Sequence, residues 1–174
     1  MKLEKQAVDM LTEITSENAL LAANLYANLG GLYRQTGNIK WAKESMEKGI
    51  QILEEFGLKQ YHDSIPQIVN YAVLLSEVGK TAEGIKVLQE LAKVICEYGS
   101  DEIMDYAAVQ EAIGNICLMR GEVSKATEHF KKAMSVYEKL FGVESEVIEA
   151  KKREVLENYM LAGVYMADKW ISNR

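Results

Sequence analysis

The sequence predicts an all-α fold of repeated helical hairpins, and three observations support this prediction. Its 174 residues are the size of one domain on the usual scale of about 100–200 residues. They include a single proline, and the helix-favouring residues Ala, Leu, Glu and Lys are abundant. Gly37, Gly79, Gly121 and Gly163 follow one another at a constant i, i+42 spacing, so one structural unit recurs along the chain. We therefore expect a single repeat domain over residues 1–174.

Each repeat is predicted to contain two helices joined at one of these glycines, since glycine commonly closes a helix in the left-handed conformation. The predicted helices cover 17–36 and 39–56 in repeat 1 (17–57), 65–78 and 81–98 in repeat 2 (65–99), and 102–120 and 123–141 in repeat 3 (102–142). Gly57, Gly99 and Gly142 are predicted to end the second helices.

The two ends of the chain are predicted to carry incomplete repeats. Residues 2–14, within the segment 1–15, have apolar residues at helical spacing and match a second helix when shifted by one repeat. The chain thus opens on half a repeat, which fits both a whole small protein and a segment of a longer array. The segment 145–171 also carries an apolar stripe. We expect one long capping helix there, with a broken pair of helices as the alternative.

Small residues recur at fixed repeat positions, which predicts close contacts between helices. One series is Gly30, Ala72 and Gly114, a second is Ala42, Gly84 and Ala126, and a third is Gly49, Leu91 and Ala133, in which Leu91 is not small. Gly31 belongs to none of them. The helices of each hairpin are therefore expected to approach closely at these positions.

Composition and charge exclude several functional classes. Hydrophobic residues form 48% of the chain, which excludes a disordered chain. The formal net charge is −6, whereas proteins that bind phosphate backbones usually carry the opposite sign. No segment approaches the ~18 apolar residues of a membrane-spanning helix, and the N-terminus lacks a signal-peptide pattern. We expect a cytoplasmic protein with neither nucleic acid nor membrane as a partner.

The residues that carry chemistry are few. Cys96 and Cys117 lie in apolar stretches and are predicted to be buried thiols in a reducing compartment. His62 and His129 are the only histidines, and the cysteine and histidine spacing of a metal site is absent. The sequence has no glycine-rich phosphate loop, HExxH, GxSxG or CxxC. We expect no enzymatic activity, no metal and no cofactor.

One stretch of repeat 1 resembles the tetratricopeptide repeat (TPR). The matching residues are Tyr26, Leu29, Gly30, Tyr33, Gly37, Asn38, Ala42 and Met46. That repeat usually has a period of about 34 residues, and the longer period here is similar to the kinesin-light-chain type. The proline that closes the shorter repeat and the Gly-Pro and His-Pro connectors of the kinesin type are absent, so we infer no motor-adaptor role.

The resemblance implies an α-solenoid of about three hairpins that acts as a non-enzymatic scaffold. Its concave groove, lined by the first helix of each pair, would bind a protein or peptide. Helical geometry places this groove on the face opposite Leu25, Leu29 and Tyr33. The predicted groove residues are Asn24, Asn28, Gly31, Arg34, Gln35, Asn70, Val73, Glu77, Ala112, Asn115 and Met119.

Within this groove, Asn28, Asn70 and Asn115 are predicted to bind the N–H and C=O groups of a peptide backbone. Arg34 would supply a positive contact. The alternative is that these asparagines are ordinary polar surface on a hydrated helix face.

A second class of function stays open, namely a structural or oligomerising module or the sensory part of a larger regulatory system. Trp41 is relevant to an oligomerising function because it occupies a repeat position that is expected to be exposed to solvent. Its counterparts one and two repeats later are the charged residues Glu83 and Lys125. Exposed aromatic residues often anchor interfaces. Trp41 is therefore predicted either to cover residues 3–14 or to mark an interface, such as that of a homodimer.

Overall fold

The structure, a computed structural model, describes residues 13–97 and 103–162. All regular elements in these ranges are helical, which confirms the all-α prediction. They are α1 (Ala19–Gln35), α2 (Ile39–Glu55), a short 3₁₀ helix (His62–Ser64), α3 (Ile65–Glu77), α4 (Thr81–Glu97), α5 (Met104–Met119), α6 (Val123–Phe141) and α7 (Glu146–Leu161). Residues 2–12 of the helix predicted over 2–14, the cap predicted at Gly99, and Gly163, where the alternative broken pair would turn, lie outside the described residues. Residues 13 and 14 are described and are not helical.

The chain divides into two compact units between Val94 and Ile95. In the first unit, α1 packs on α2 and both contact α3. In the second unit, α5 packs on α6 and both contact α7.

The first helices of the hairpins all end at one repeat position. α1, α3, α5 and α7 end at Gln35, Glu77, Met119 and Leu161, each one repeat after the previous one. Gly37, Gly79 and Gly121 follow the first three with φ of 75°, 83° and 72°, the left-handed conformation that glycine adopts without a steric cost. α7 thus occupies the register of a first helix. The choice between one long helix and a broken pair stays a prediction, because residues 163–174 lie outside the described part.

Small residues in the first unit lie where the two helices of a hairpin approach most closely. A Cβ added to Gly30 would lie 2.5 Å from Met46 Cγ and 3.0 Å from the carbonyl oxygen of Ala42. A Cβ added to Gly84 would lie 2.5 Å from the carbonyl oxygen of Ala72. Carbon atoms cannot approach a backbone oxygen that closely without displacing it. The predicted close approach is therefore confirmed in both hairpins of this unit.

The same position in the second unit is filled by an aromatic ring. A Cβ added to Gly114 of α5 would lie 2.8 to 3.1 Å from three ring atoms of Phe130 of α6. Phe130 is fully buried, and its ring centroid lies 5.7 Å from that of Tyr159 of α7. Gly114 thus lets α5 approach a core that joins all three helices.

A polar cluster also joins the three helices of the second unit. Glu111 of α5 accepts hydrogen bonds from Lys151 Nζ of α7 at 3.1 Å and from the Tyr137 hydroxyl of α6 at 3.2 Å. Burial raises the pKa of the Glu111 carboxyl, and the contacts with Lys151 and Tyr137 partly oppose this rise. A half-buried carboxylate with two donors is stabilised where a lone one would be costly.

The two cysteines differ, so the prediction of two buried thiols is wrong for one of them. Cys117 is buried, and burial raises the pKa of its thiol. Cys96 is exposed. The buried face of α4 carries Leu91 and Ile95, which are four residues apart. Cys96 is turned about 100° from Ile95 on the helix and therefore falls outside this face.

A half-buried histidine gives the second unit a pH-dependent stability. His129 Nδ1 lies 2.8 Å from Gln110 Oε1. Burial, and to a smaller extent Lys132, lowers the pKa of His129 below its usual value of 6.5. The folded chain thus binds the proton less readily than the unfolded chain. This contribution to stability is present above about pH 6.5 and is lost as the pH falls through the lowered pKa.

The variant His129→Gln keeps a side chain that can form a hydrogen bond with Gln110 but cannot take up a proton. We expect its free energy of unfolding to fall less than that of the wild type between pH 7 and pH 5. Urea titrations of both proteins at the two pH values measure this difference. Equal losses would show that His129 does not carry the pH dependence.

Candidate functional site

Several predicted groove residues of the first unit line one shallow hollow. Its volume is about 490 Å³, and it is lined by Gly31, Arg34 and Gln35 of α1, Met46 of α2 and Asn70 of α3. The side chains of Gln35 and Asn70 are exposed there. Asn28, one turn before Gly31 on α1, is exposed as well and lies outside the lining of the hollow. We call Asn28, Gly31, Gln35 and Asn70 the amide surface.

The two adjacent glycines of α1 have opposite environments. The position of a Cβ on Gly30 is occupied by Met46 and the backbone of α2. A Cβ on Gly31 would meet no atom within 4 Å. Gly30 therefore serves packing, whereas Gly31 leaves open space in the middle of the amide surface.

Arg34 is paired within the chain. Its Nε donates to Glu77 Oε2 at 2.7 Å, and its Nη2 donates to the other oxygen of the same carboxylate. This bidentate pair joins the last turn of α1 to the end of α3. The predicted positive contact is thus already neutralised by Glu77. The two residues are one repeat plus one position apart and opposite in charge, which is the signal in the sequence that could have revealed the pair.

Asn24 and Val73 contribute less to an open surface than predicted. Asn24 Oδ1 accepts a hydrogen bond of 2.6 Å from Gln67 Nε2 of α3, so this oxygen already joins two helices. Gln67 is buried and also donates to the carbonyl oxygen of Asp63 at 3.1 Å. Val73 is half-buried.

The second unit has its own hollow of about 500 Å³ between α5 and α7. It is lined by Asn115, Leu118 and Met119 of α5 and by Asn158, Leu161 and Ala162 of α7. Met119 is 62% exposed and Asn115 is half-buried. Sequence reasoning missed Leu161, although it is the repeat counterpart of Met119.

Ala112 does not belong to an open surface. It is only 7% exposed, which does not favour its predicted place in an open groove. The reason is that α5 contacts both α6 and α7 and is buried around most of its circumference. The buried residues next to Ala112 on the helix include Val109, Ile113 and Ile116.

No group of three His, Cys, Asp or Glu residues within 13–97 and 103–162 is placed to hold a metal ion. The helices in that part of the chain are also too short or too polar to cross a bilayer.

Comparison with protein families identifies the repeat. Two family models, both described as tetratricopeptide repeat, match residues 23–53 and 107–146. Both segments are tetratricopeptide repeats. The first match lies within the α1–α2 hairpin, and the second covers most of α5 and all of α6. The TPR units found by family comparison are thus the hairpins seen in the structure.

A curated protein of the kinesin-light-chain-related kind is similar to this chain. The chain is 24% identical over 132 residues to Protein KINESIN LIGHT CHAIN-RELATED 3 of Arabidopsis thaliana. This match covers 75% of the chain and 20% of the relative. The chain therefore spans about a fifth of the length of that protein.

Solved structures show the same repeat fold. The crystal structure of BtubC (BKLC) from P. vanneervenii superposes with a TM-score of 0.76 at 18% identity, over 98% of this chain and 68% of that one. A Podosopora anserina kinesin light chain protein with nearly identical TPR-like repeats superposes with a TM-score of 0.70 at 17% identity. The superposition covers 92% of this chain and 74% of that one. These likenesses confirm the predicted α-solenoid fold. Together with the family matches and the kinesin-light-chain-related relative, they support the predicted class of TPR similar to that of kinesin light chains.

Proposed function

We propose that the chain is a non-enzymatic TPR scaffold whose amide surface holds an extended peptide of a partner protein. TPR proteins in general mediate protein interactions, which supports the broad class. The observation that carries the finer proposal is the open space at Gly31, flanked by the exposed amides of Asn28, Gln35 and Asn70.

The chemistry of the amide surface suits a peptide main chain. A carboxamide offers two donors and one acceptor oxygen, so it can bind backbone C=O and N–H groups whatever the side chains of the ligand are. The missing Cβ of Gly31 lets a main chain come close to α1. Since Arg34 and Glu77 neutralise one another beside this surface, a neutral backbone is favoured over a charged ligand group.

Peptides selected from a random display library on the wild-type protein test this proposal. We expect the double variant Asn28→Ala, Asn70→Ala to bind them more weakly, by about 0.5–1.5 kcal/mol for each lost hydrogen bond. The thermal stability should stay nearly unchanged because both side chains are exposed. Isothermal titration calorimetry and thermal unfolding measure the two effects.

The matched control is Gln89→Ala, which removes an exposed amide from α4 and should leave peptide affinity unchanged. If the double variant binds as well as the wild type, the amide surface is not the site. If it unfolds at a much lower temperature, the two asparagines are structural.

An exposed aromatic pair supports self-association as a second candidate function. Trp41 is 55% exposed, and its ring centroid lies 6.2 Å from that of Tyr33. Residues 3–12 of its predicted contact region, 3–14, lie outside the described part of the chain. If Trp41 marks a dimer interface, Trp41→Ala should convert a dimer to a monomer in light scattering. A loss of thermal stability at unchanged mass would instead indicate a contact within one chain.

A further inference from the structure

A cavity of about 450 Å³ lies between α2 and α4, the second helices of two successive hairpins. α3 and Lys59 complete its lining, and it shares no residue with the amide surface. Its volume falls within the range of about 300–1,000 Å³ that is usual for binding pockets. The proposed function makes no use of it.

The floor of this cavity is apolar. Ile68 and Tyr71 of α3 and Leu91 of α4 form it and are buried. Ile50 of α2 and Val94 of α4 are half-buried lining residues. The half-buried residues leave apolar surface that a ligand with an aliphatic body could cover.

The polar part of the lining is acidic. Glu47 and Glu54 belong to α2 and Glu90 to α4, while Lys59 is the one basic residue in the described part of the lining. Glu54 is paired with Lys59. Glu47 is paired with Lys43 and accepts a 3.1 Å hydrogen bond from the Tyr71 hydroxyl.

Glu90 is the least compensated of these carboxylates. The Nζ atom of Lys86 lies 3.7 Å from Glu90 Oε1, and the Lys86 side chain is 76% exposed. Such surface ion pairs contribute little to stability because water screens them. The carboxylate of Glu90 is therefore available to pair with a cation that enters the cavity, and it lies beside the apolar floor.

The length of the cavity fits a short piece of chain. Its lining runs from Glu47 to Glu54 on α2 and from Val87 to Val94 on α4. Seven residues of helix extend about 10.5 Å, which is the length of about three extended residues.

We propose that this cavity is a second peptide site, which takes an extended segment of a partner protein with a basic side chain between two apolar ones. Successive side chains of an extended segment point to opposite sides, so the two apolar side chains face the floor and the basic one leaves from the outer side. The stem of the basic residue lies over the rim of the cavity, and its charged end reaches the exposed carboxylate of Glu90. The site is independent of the amide surface.

The probe is the acetylated and amidated peptide Ala-Leu-Lys-Leu-Ala, compared with the same peptide carrying Glu in place of Lys. We expect amide NMR shifts at Ile68, Val87 and Glu90, and an affinity at least tenfold higher for the lysine peptide. Glu90→Lys should weaken its binding at least tenfold. Glu44→Lys, the same charge change at an exposed position of α2 outside the cavity, should leave it unchanged.

Two further measurements separate this site from others. The double variant Asn28→Ala, Asn70→Ala should bind the lysine peptide as the wild type does, so this site can fail or succeed independently of the amide surface. Val94→Phe, which fills the cavity without a change of charge, should also reduce binding, with circular dichroism to confirm that the variant is folded.

The proposal is overturned if neither peptide binds at millimolar concentration or if both bind equally. It is also overturned if the shifts map to the amide surface. Binding of n-butylammonium as tight as that of the lysine peptide would contradict it as well, because the cavity would then be a site for small amines.

Discussion

Replacing Gly114 with leucine should lower the free energy of unfolding by about 1–3 kcal/mol, the usual cost of overpacking a core. The new Cβ would lie 2.8 to 3.1 Å from ring atoms of Phe130. This ring is fully buried and packs against Tyr159, so it has little room to move. Denaturant titration measures the loss. The control is Gly31→Ala. Its new methyl group lies in open space, and alanine has a higher helix propensity than glycine, so the free energy of unfolding should not fall.

Equal large losses at Gly114 and Gly31 would show that the assignment of packing and open positions is wrong. The comparison is informative because both glycines lie within first helices, α5 and α1, and differ in what surrounds the missing Cβ.

Phe130→Ala should lower the free energy of unfolding by about 3–5 kcal/mol, more than Gly114→Leu does, because it leaves a cavity in a closed core. Phe130 contacts both the Gly114 position of α5 and Tyr159 of α7, so its loss weakens the packing of all three helices of the second unit. Thermal and denaturant unfolding measure this effect.

The two substitutions should be coupled. In the Phe130→Ala background, the leucine at position 114 can occupy part of the vacated space, so Gly114→Leu should cost less than in the wild type. Residues in contact commonly show such non-additive effects. Strictly additive losses would mean that the side chain at 114 does not point at Phe130.

The helices could be predicted closely because a single periodicity sets their ends. The glycines that follow α1, α3 and α5 have positive φ, and this requirement is visible in the sequence as their regular spacing. The predicted first helix of repeat 1, 17–36, differs from α1 (Ala19–Gln35) by two residues at the start and one at the end. Small residues also marked the contact positions correctly, since Gly30 and Gly84 face backbone oxygen atoms of the neighbouring helix.

Contacts between hairpins could not be predicted in the same way. Periodicity indicates which face of a helix is apolar, but it does not give the rotation and offset of one helix against the next. The Asn24–Gln67 hydrogen bond depends on that offset, as does the burial of Ala112.

Leu91 shows what a departure from the repeat pattern can indicate. It stands at a position where repeats 1 and 3 have Gly49 and Ala133. The structure places Leu91 at the floor of the cavity between α2 and α4. A break in a series of small residues thus coincided with a feature that the periodicity alone did not predict.

Amide NMR of the protein with a display-selected peptide tests most directly whether the amide surface binds a peptide. We expect the largest chemical-shift changes in the first unit at Asn28, Gly31, Gln35 and Asn70. Largest changes on the exposed face of α4, or in the cavity between α2 and α4, with these four residues unmoved, would contradict it.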